Sequence, residues 1–165
     1  MRRAKRLIYW FAYRAALCYW FLFRPTARGA YVAVWYGNEL LLIQNSYKHG
    51  LTLPSGGIKK NETSISAAIR ELAEEVGIRA TEDELTLIQE FKSTDEGKID
   101  LSVVFELRLD QRPSITVDNV EVVRAEFVSF PDVASKDLTS IARQYVEFVS
   151  SPGETDSRQD KKDLS

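Results

Sequence analysis

Between Thr63 and Gly77 apolar residues recur at helical spacing: Ile65, Ala68, Ile69, Leu72 and Val76 make one stripe. Thr63 or Ser64 stands where an N-cap belongs, and Gly77 where a helix stops. The pattern therefore predicts a helix from Thr63 or Ser64 to Gly77. Upstream, GAYVAVWY and ELLLIQ flank Gly37-Asn38, the signature of a hairpin. LTLPSGGIKKNE, with Pro54, Gly56 and Gly57, reads as a loop-rich link. Downstream, LTLIQEFKST and IDLSVVFELRL predict a second strand pair around Asp95-Glu96-Gly97. VEVVRAEFVSF is a further strand that stops at Pro131, and LTSIARQYVEFV, from Leu138 to Val149, is an amphipathic helix. From Ser151 onward no apolar period survives, so a disordered tail is expected over 151–165.

The polar side of the first helix raises a question of charge. Glu71, Glu74 and Glu75 sit at i, i+3 and i+4 and fall within roughly 100° of arc. Like charges so placed cost a few tenths of a kcal/mol per pair. Either that face is simply solvated or a cation neutralises it.

Composition narrows the classes. A chain of 165 residues with 44% apolar and 28% charged residues suits one globular domain with a sizeable core. The net charge of -2 gives no argument for nucleic acid, and none is expected as a partner. The single cysteine, Cys18, excludes an internal disulfide and a cysteine-rich zinc site, and fits a reducing compartment such as the cytoplasm. The single histidine, His49, would have to serve any Ser-His-Asp arrangement, and its context, YKHGL, gives that no support.

Charge also divides the chain. No acid precedes Glu39, while Arg2, Arg3, Lys5, Arg6, Arg14, Arg24 and Arg28 give +7; the rest carries -9. A basic, aromatic helical arm is expected over 1–27 and the main domain over 28–150. Three readings of the arm compete. Leu7 to Phe23 is short for a membrane span, at about 25 Å against a ~30 Å core, and carries Arg14 mid-way. The bulky aromatic run lacks a clean signal-peptide cleavage site. On a helical wheel Arg2, Arg3, Arg6, Arg14, Arg24 and Arg28 fall opposite Ile8, Phe11, Ala15, Tyr19 and Leu22. That favours a helix lying on an anionic membrane surface, peripheral at its inner face. The plainer alternative is packing on the domain or in a homodimer.

Gly56, Glu62 and the run Arg70-Glu71-Leu72-Ala73-Glu74-Glu75-Val76-Gly77-Ile78 complete a longer pattern. It resembles the Nudix box, G-x5-E-x7-R-E-U-x-E-E-x-G-U with U aliphatic, at every specified position. The wider resemblance covers residues 28–150 and leaves out the arm and the tail. It implies an α/β/α sandwich with a mixed sheet, and a hydrolase that cleaves the diphosphate bond of a nucleoside diphosphate linked to another group. The implied cofactor is Mg²⁺ or Mn²⁺, a hard cation suited to carboxylates, water and substrate oxygens. By position, Glu71, Glu74 and Glu75 would be metal ligands, with Glu71 or Glu74 serving as base. Ser55 or Gly56 would offer a carbonyl to the metal, Gly56 and Gly57 would let the diphosphate approach the backbone, and Arg70 would pair with a carboxylate such as Glu62. Ser55 departs from relatives, which often carry Gly there; were φ positive, Ser would be slightly strained.

The substrate is less legible. The proline of ADP-ribose-cleaving subfamilies and the tyrosine of diadenosine-polyphosphate enzymes are missing beyond the box, where the chain reads FKSTDE. The SQPWPFPxS signature of NADH-cleaving relatives is missing too. Glu121 opens a strand where many relatives place an extra catalytic or metal-binding Glu; otherwise it is an ordinary exposed acid. Trp35, Tyr36 and Tyr47 would stack on a base or be buried hairpin aromatics. Two other functions compete: a non-catalytic nucleotide-binding regulatory module, and a membrane-associated hydrolase of lipid or isoprenoid diphosphates.

Overall fold

The computed structural model describes residues 2–94, 97–117 and 119–151. Helix α1 (Arg2–Phe23) leads into strand β1 (Thr26–Tyr36), followed by β2 (Glu39–Asn45), β3 (Leu51–Thr52), β4 (Ser55–Gly57) and helix α2 (Ser64–Val76). After a 3₁₀ turn at Glu82–Glu84 come β5 (Leu85–Ser93), β6 (Ile99–Leu109), β7 (Val122–Ser129), the short α3 (Phe130–Val133) and α4 (Ser140–Ser150).

The strands form one mixed sheet in the order β3-β2-β1-β6-β5, with β4 added to β1 and β7 to β2. The predicted hairpin turns at Gly37-Asn38, but β1 and β2 pair only at Trp35↔Leu40 and Tyr36↔Glu39. Beyond that they separate. β2 pairs with β7 along its length, and β1 runs parallel to β6 from Thr26↔Ile99 to Tyr36↔Leu109. The gap admits β4, which pairs Ala30 with Gly56 and Tyr31 with Ser55.

Central strands are apolar on both faces, as a sheet covered on both sides requires. Val32, Val34, Leu41 and Ile43 pack with Ala68, Leu72 and Val76 of α2, while Ala33, Trp35, Leu40 and Leu42 pack with Ile141, Ala142 and Tyr145 of α4. The result is the expected α/β/α sandwich. On the α4 side Trp35 Nε1 donates to Tyr145 Oη (2.8 Å), which donates to Glu106 Oε1 (2.6 Å). Trp35 is thus a buried core residue.

Several expectations need adjusting. α4 starts two residues later than Leu138. Pro131 lies in the first turn of α3, where a missing N–H costs nothing. Glu121 precedes β7 in a bend. Of the turn before β6 only Gly97 is described, and the expected tail lies outside the described residues except Ser151. The arm is helical only to Phe23. Arg24 has φ 45°, the residue before Pro25 being excluded from the α region, and Arg28 belongs to β1. Those two arginines therefore share no helical face with the earlier ones.

The arm packs on the domain through one face. Tyr9 and Tyr13 meet Tyr47, with centroids 6.0 and 5.3 Å away, and Lys98 lies over Trp20 at 4.4 Å. Arg6 donates twice to the Asn119 carbonyl (2.9 and 2.8 Å). The opposite face stays bare: Leu7, Ile8, Phe11, Tyr19 and Leu22 are exposed, and among the described residues Leu87 is the sole large exposed apolar side chain outside this helix. No described helix is long and apolar enough to cross a membrane.

Candidate active site

The caps place α2 and so orient its carboxylates. Thr63 Oγ1 accepts from Ser66 N (3.2 Å), and Gly77, at φ 74°, closes the helix with its N–H on the Ala73 carbonyl. With Leu72 and Val76 buried against the sheet, Glu71 and Glu75 face β4 and Glu74 points outward.

Arg70 ties the loop to the helix. Its Nε and Nη2 bind both oxygens of Glu62 (2.8 and 2.9 Å), a fork-to-fork pair, and Nη2 also donates to the Gly57 carbonyl (3.1 Å). Its Nη1 donates to Glu71 Oε1 and lies 3.5 Å from Glu74 Oε2. The Lys59 amide adds a bond to Glu62 (2.8 Å). The Arg70 hydrogen bonds, the first of several stabilising contacts, hold the Glu62 carboxyl down at about 2.

Glu75 is 6% exposed, and its Oε2 accepts from the Ser55 amide (2.7 Å). Glu71, 16% exposed, rests on Gly56: a Cβ there would lie 2.6 Å from Glu71 Cγ and closer still to the carboxyl carbon. Glu74 is 59% exposed. Ser55 belongs to β4 and has no positive φ, so the strain considered for it does not arise. Glu121 is reached through Tyr47, whose hydroxyl donates to Glu121 Oε1 (3.1 Å). Burial, then the charge of Glu121, then that of Glu75 among further contacts, push the Tyr47 phenol well above its usual range. Tyr47 thus stands between a helix carboxylate and the one outlying acid singled out in the sequence.

Beside this group runs a cleft of about 200 Å³. Ser55, Gly56 and Gly57 of β4 line it together with Tyr31, Asn45, Tyr47 and Lys48, and Tyr13 and Trp20 of α1 line it too. Asn45, Lys48 and the two arm aromatics were missed as lining residues. The signal available was spacing: Tyr9, Tyr13 and Trp20 lie on one side of a helix.

The residues suit a hard divalent cation in an open site. Among the described residues no three acidic, histidine or cysteine side chains converge into a ready-made cage. Mg²⁺ takes one or two carboxylates and completes its shell with water and substrate oxygens. Glu71 lying on the bare backbone of Gly56, with Glu75 fastened to the Ser55 amide, gathers carboxylate oxygens against β4, the kind of donor such a cation takes.

The family model described as NUDIX domain matches residues 25–149. The chain belongs to the Nudix family. A curated relative, mitochondrial Nudix hydrolase 12 of Arabidopsis thaliana, is 39% identical over 56 residues, which is 33% of this chain and 28% of the relative. The chain thus aligns with little more than a quarter of that protein's length. Among solved structures, a MutT NUDIX hydrolase from Burkholderia pseudomallei superposes with TM-score 0.67 at 21% identity, over 76% of this chain and 98% of that one. The NUDIX domain of Shewanella oneidensis NrtR, complexed with ADP ribose, gives 0.67 at 16% identity, over 78% and 88%. A Caenorhabditis elegans Ap4A hydrolase gives 0.59 at 21%, over 75% and 95%. These likenesses are of fold. The Nudix match begins just after α1, so the helix that helps to line the cleft lies outside it.

Proposed function

We propose that this Nudix domain hydrolyses the diphosphate linkage of a nucleoside diphosphate joined to another group, with Mg²⁺ or Mn²⁺ held by Glu71, Glu74, Glu75 and the Gly56 carbonyl. The observation that carries this reading is the approach of Glu71 to Gly56 beside the cleft, with Glu75 fastened to the Ser55 amide. When bound, the cation supplies charge neutralisation for the phosphates and activates water. The chain's own residues do the rest. Arg70 and Glu62 hold the loop and α2 in register, so that carboxylates and backbone face the same phosphates. Gly56 and Gly57 leave the backbone bare for the diphosphate. Glu71 or Glu74 takes the proton of the attacking water, Glu71 lying against Gly56 and Glu74 being the more solvated. Glu121, bound by the hydroxyl of the cleft residue Tyr47, is a further carboxylate near the site.

Supporting the choice of substrate class are the ADP ribose bound to the NrtR domain and the similarity in fold to the Ap4A hydrolase. The test is product release from a panel of nucleoside diphosphate derivatives, ADP-ribose, dinucleotides and an isoprenoid diphosphate, with each metal. Glu75→Gln keeps an acceptor for the Ser55 amide but removes the charge. Metal-dependent turnover that falls at least a hundredfold in this variant is the expected result. Nucleotide binding without turnover, indifferent to Glu75→Gln, would instead make the domain a regulatory binding module.

The bare face of α1 favours one additional reading: that the protein rests on an anionic membrane surface, with Leu7, Ile8, Phe11 and Leu22 in the headgroup zone and the exposed Arg14 against lipid phosphates. Liposome flotation with and without phosphatidylserine tests this. Protein that stays in the soluble fraction, or that instead sediments as a concentration-dependent dimer, removes it.

A further inference from the structure

We infer that helix α1 is part of the ligand site: Tyr13 and Trp20, together with Tyr47, form a stacking subsite for the planar ring of a ligand whose phosphates lie at Gly56 and Gly57. This rests on the Nudix reading for the phosphate end of the cleft, but the aromatic end lies on a segment outside the matched domain.

Three observations converge. The first is continuity: Tyr13 and Trp20 line the same cleft as Ser55, Gly56 and Gly57, so a molecule seated on the loop extends towards α1. The second is chemistry. Tyr13 lies 5.3 Å from Tyr47 and 6.4 Å from Trp20, and both arm residues are half-buried rather than sealed in a core. Lys98, over the Trp20 ring and paired with Asp100 (3.0 Å), and Lys48 place cationic groups along an aromatic wall, a combination suited to a base carrying phosphates. The third is placement. Arg6 anchors one end of α1 to Asn119, and at the other the Ile99 amide donates to the Pro25 carbonyl (3.1 Å). Gly97 lets the Phe21 backbone approach, since a Cβ there would come 3.2 Å from it. The rings are therefore held from both ends of the helix.

The test uses the full chain and two non-hydrolysable probes: α,β-methylene-ADP or its uracil counterpart, which carry a ring, and methylenediphosphonate, which does not. Calorimetry in Mg²⁺ compares the wild-type protein with Tyr13→Ala, Trp20→Ala, Tyr13→Phe and Trp20→Phe. Stacking on one ring implies a loss of about tenfold in affinity for the ring-bearing probe in each alanine variant. The phenylalanine variants should recover to within about twofold, which a loss of folding would not do, and methylenediphosphonate should lose less than about twofold throughout. Alanine variants that bind the ring-bearing probes like wild type overturn the proposal. So does a wild-type protein that binds them no better than methylenediphosphonate, or an equal loss for both classes of probe. A ring-dependent loss without hydrolysis of any substrate leaves the subsite standing and refutes the hydrolase instead.

Discussion

Replacing Gly56 with alanine tests the site geometry through a single methyl group. Gly56 has no positive φ, so alanine fits its backbone, and the whole effect is steric. The new Cβ would meet Glu71 Cγ at 2.6 Å. Carbon atoms in contact prefer about 3.5–4.0 Å, so the side chain must retreat by about 1 Å or more. Because the obstructing atoms are the free end of a glutamate, the fold absorbs this cheaply: stability should stay within about 1 kcal/mol of wild type, helped by a stiffer unfolded chain. Catalysis should not absorb it. A displacement of about 1 Å in a positioned group costs on the order of a hundredfold, or about 2.7 kcal/mol of transition-state stabilisation. Gly57→Ala, where a Cβ meets no protein atom within 4 Å, is measured beside it and reports crowding of the diphosphate alone. The assay is metal-dependent hydrolysis of the best substrate, beside urea denaturation of all three proteins. A Gly56→Ala enzyme with near-normal kcat/KM would refute the role given to the Glu71–Gly56 approach. Equal losses of activity and stability would assign the effect to folding.

The buried relay on the α4 side predicts a stability effect. Tyr145→Phe strands Trp35 Nε1–H and Glu106 Oε1 and should cost about 2–4 kcal/mol in urea denaturation; less than about 1 kcal/mol would mean that water replaces the hydroxyl. Glu62 predicts an acid limb. Its folded pKa of about 2 lies below its usual 4.5, so its contribution is complete above about pH 4.5 and fades as pH falls towards 2. Wild type should lose stability over that window more steeply than Glu62→Gln, and parallel curves would show that the pair with Arg70 adds nothing. Arg70→Lys, which removes the fork, should lower kcat more than it lowers stability, measured by the same two assays, because Glu62, Glu71 and the Gly57 carbonyl lose a shared donor.

Local chemistry was legible and long-range pairing was not. α2 could be read almost residue by residue, because a 3.6-residue stripe, a threonine cap and a terminal glycine all agree. The turn at Gly37-Asn38 was equally plain, yet the hairpin pairs at only two positions, because β1 finds a longer partner in β6 and β2 in β7. No neighbouring residue announces such a choice. At the site, the box carboxylates were visible from spacing alone, but that Glu75 binds the Ser55 amide and Tyr47 reaches Glu121 depends on where β4 and the end of β2 are laid down. The arm misled for a different reason. Apolar residues surround it, so its period does not say which face packs; Tyr47 and Lys98 decide that. The helical arm expected over 1–27 ran through Pro25, and the helix ends before it at Phe23, which rules out the wheel that included Arg24 and Arg28.

The parallel pairing of β1 with β6 has a consequence for how the chain becomes active. Thr26 must find Ile99 across the segment that contains the entire box, and β4 docks on the same strand. Loop closure of that length is a slow event, whereas α2 needs only its own sequence to begin. During refolding, helical content should therefore return before turnover does, with the interval set by strand assembly. The same dependence makes residues 56–78 a poor transplant: moved to another scaffold they would bring the glutamates but not the β1 edge that lays Gly56 beneath Glu71.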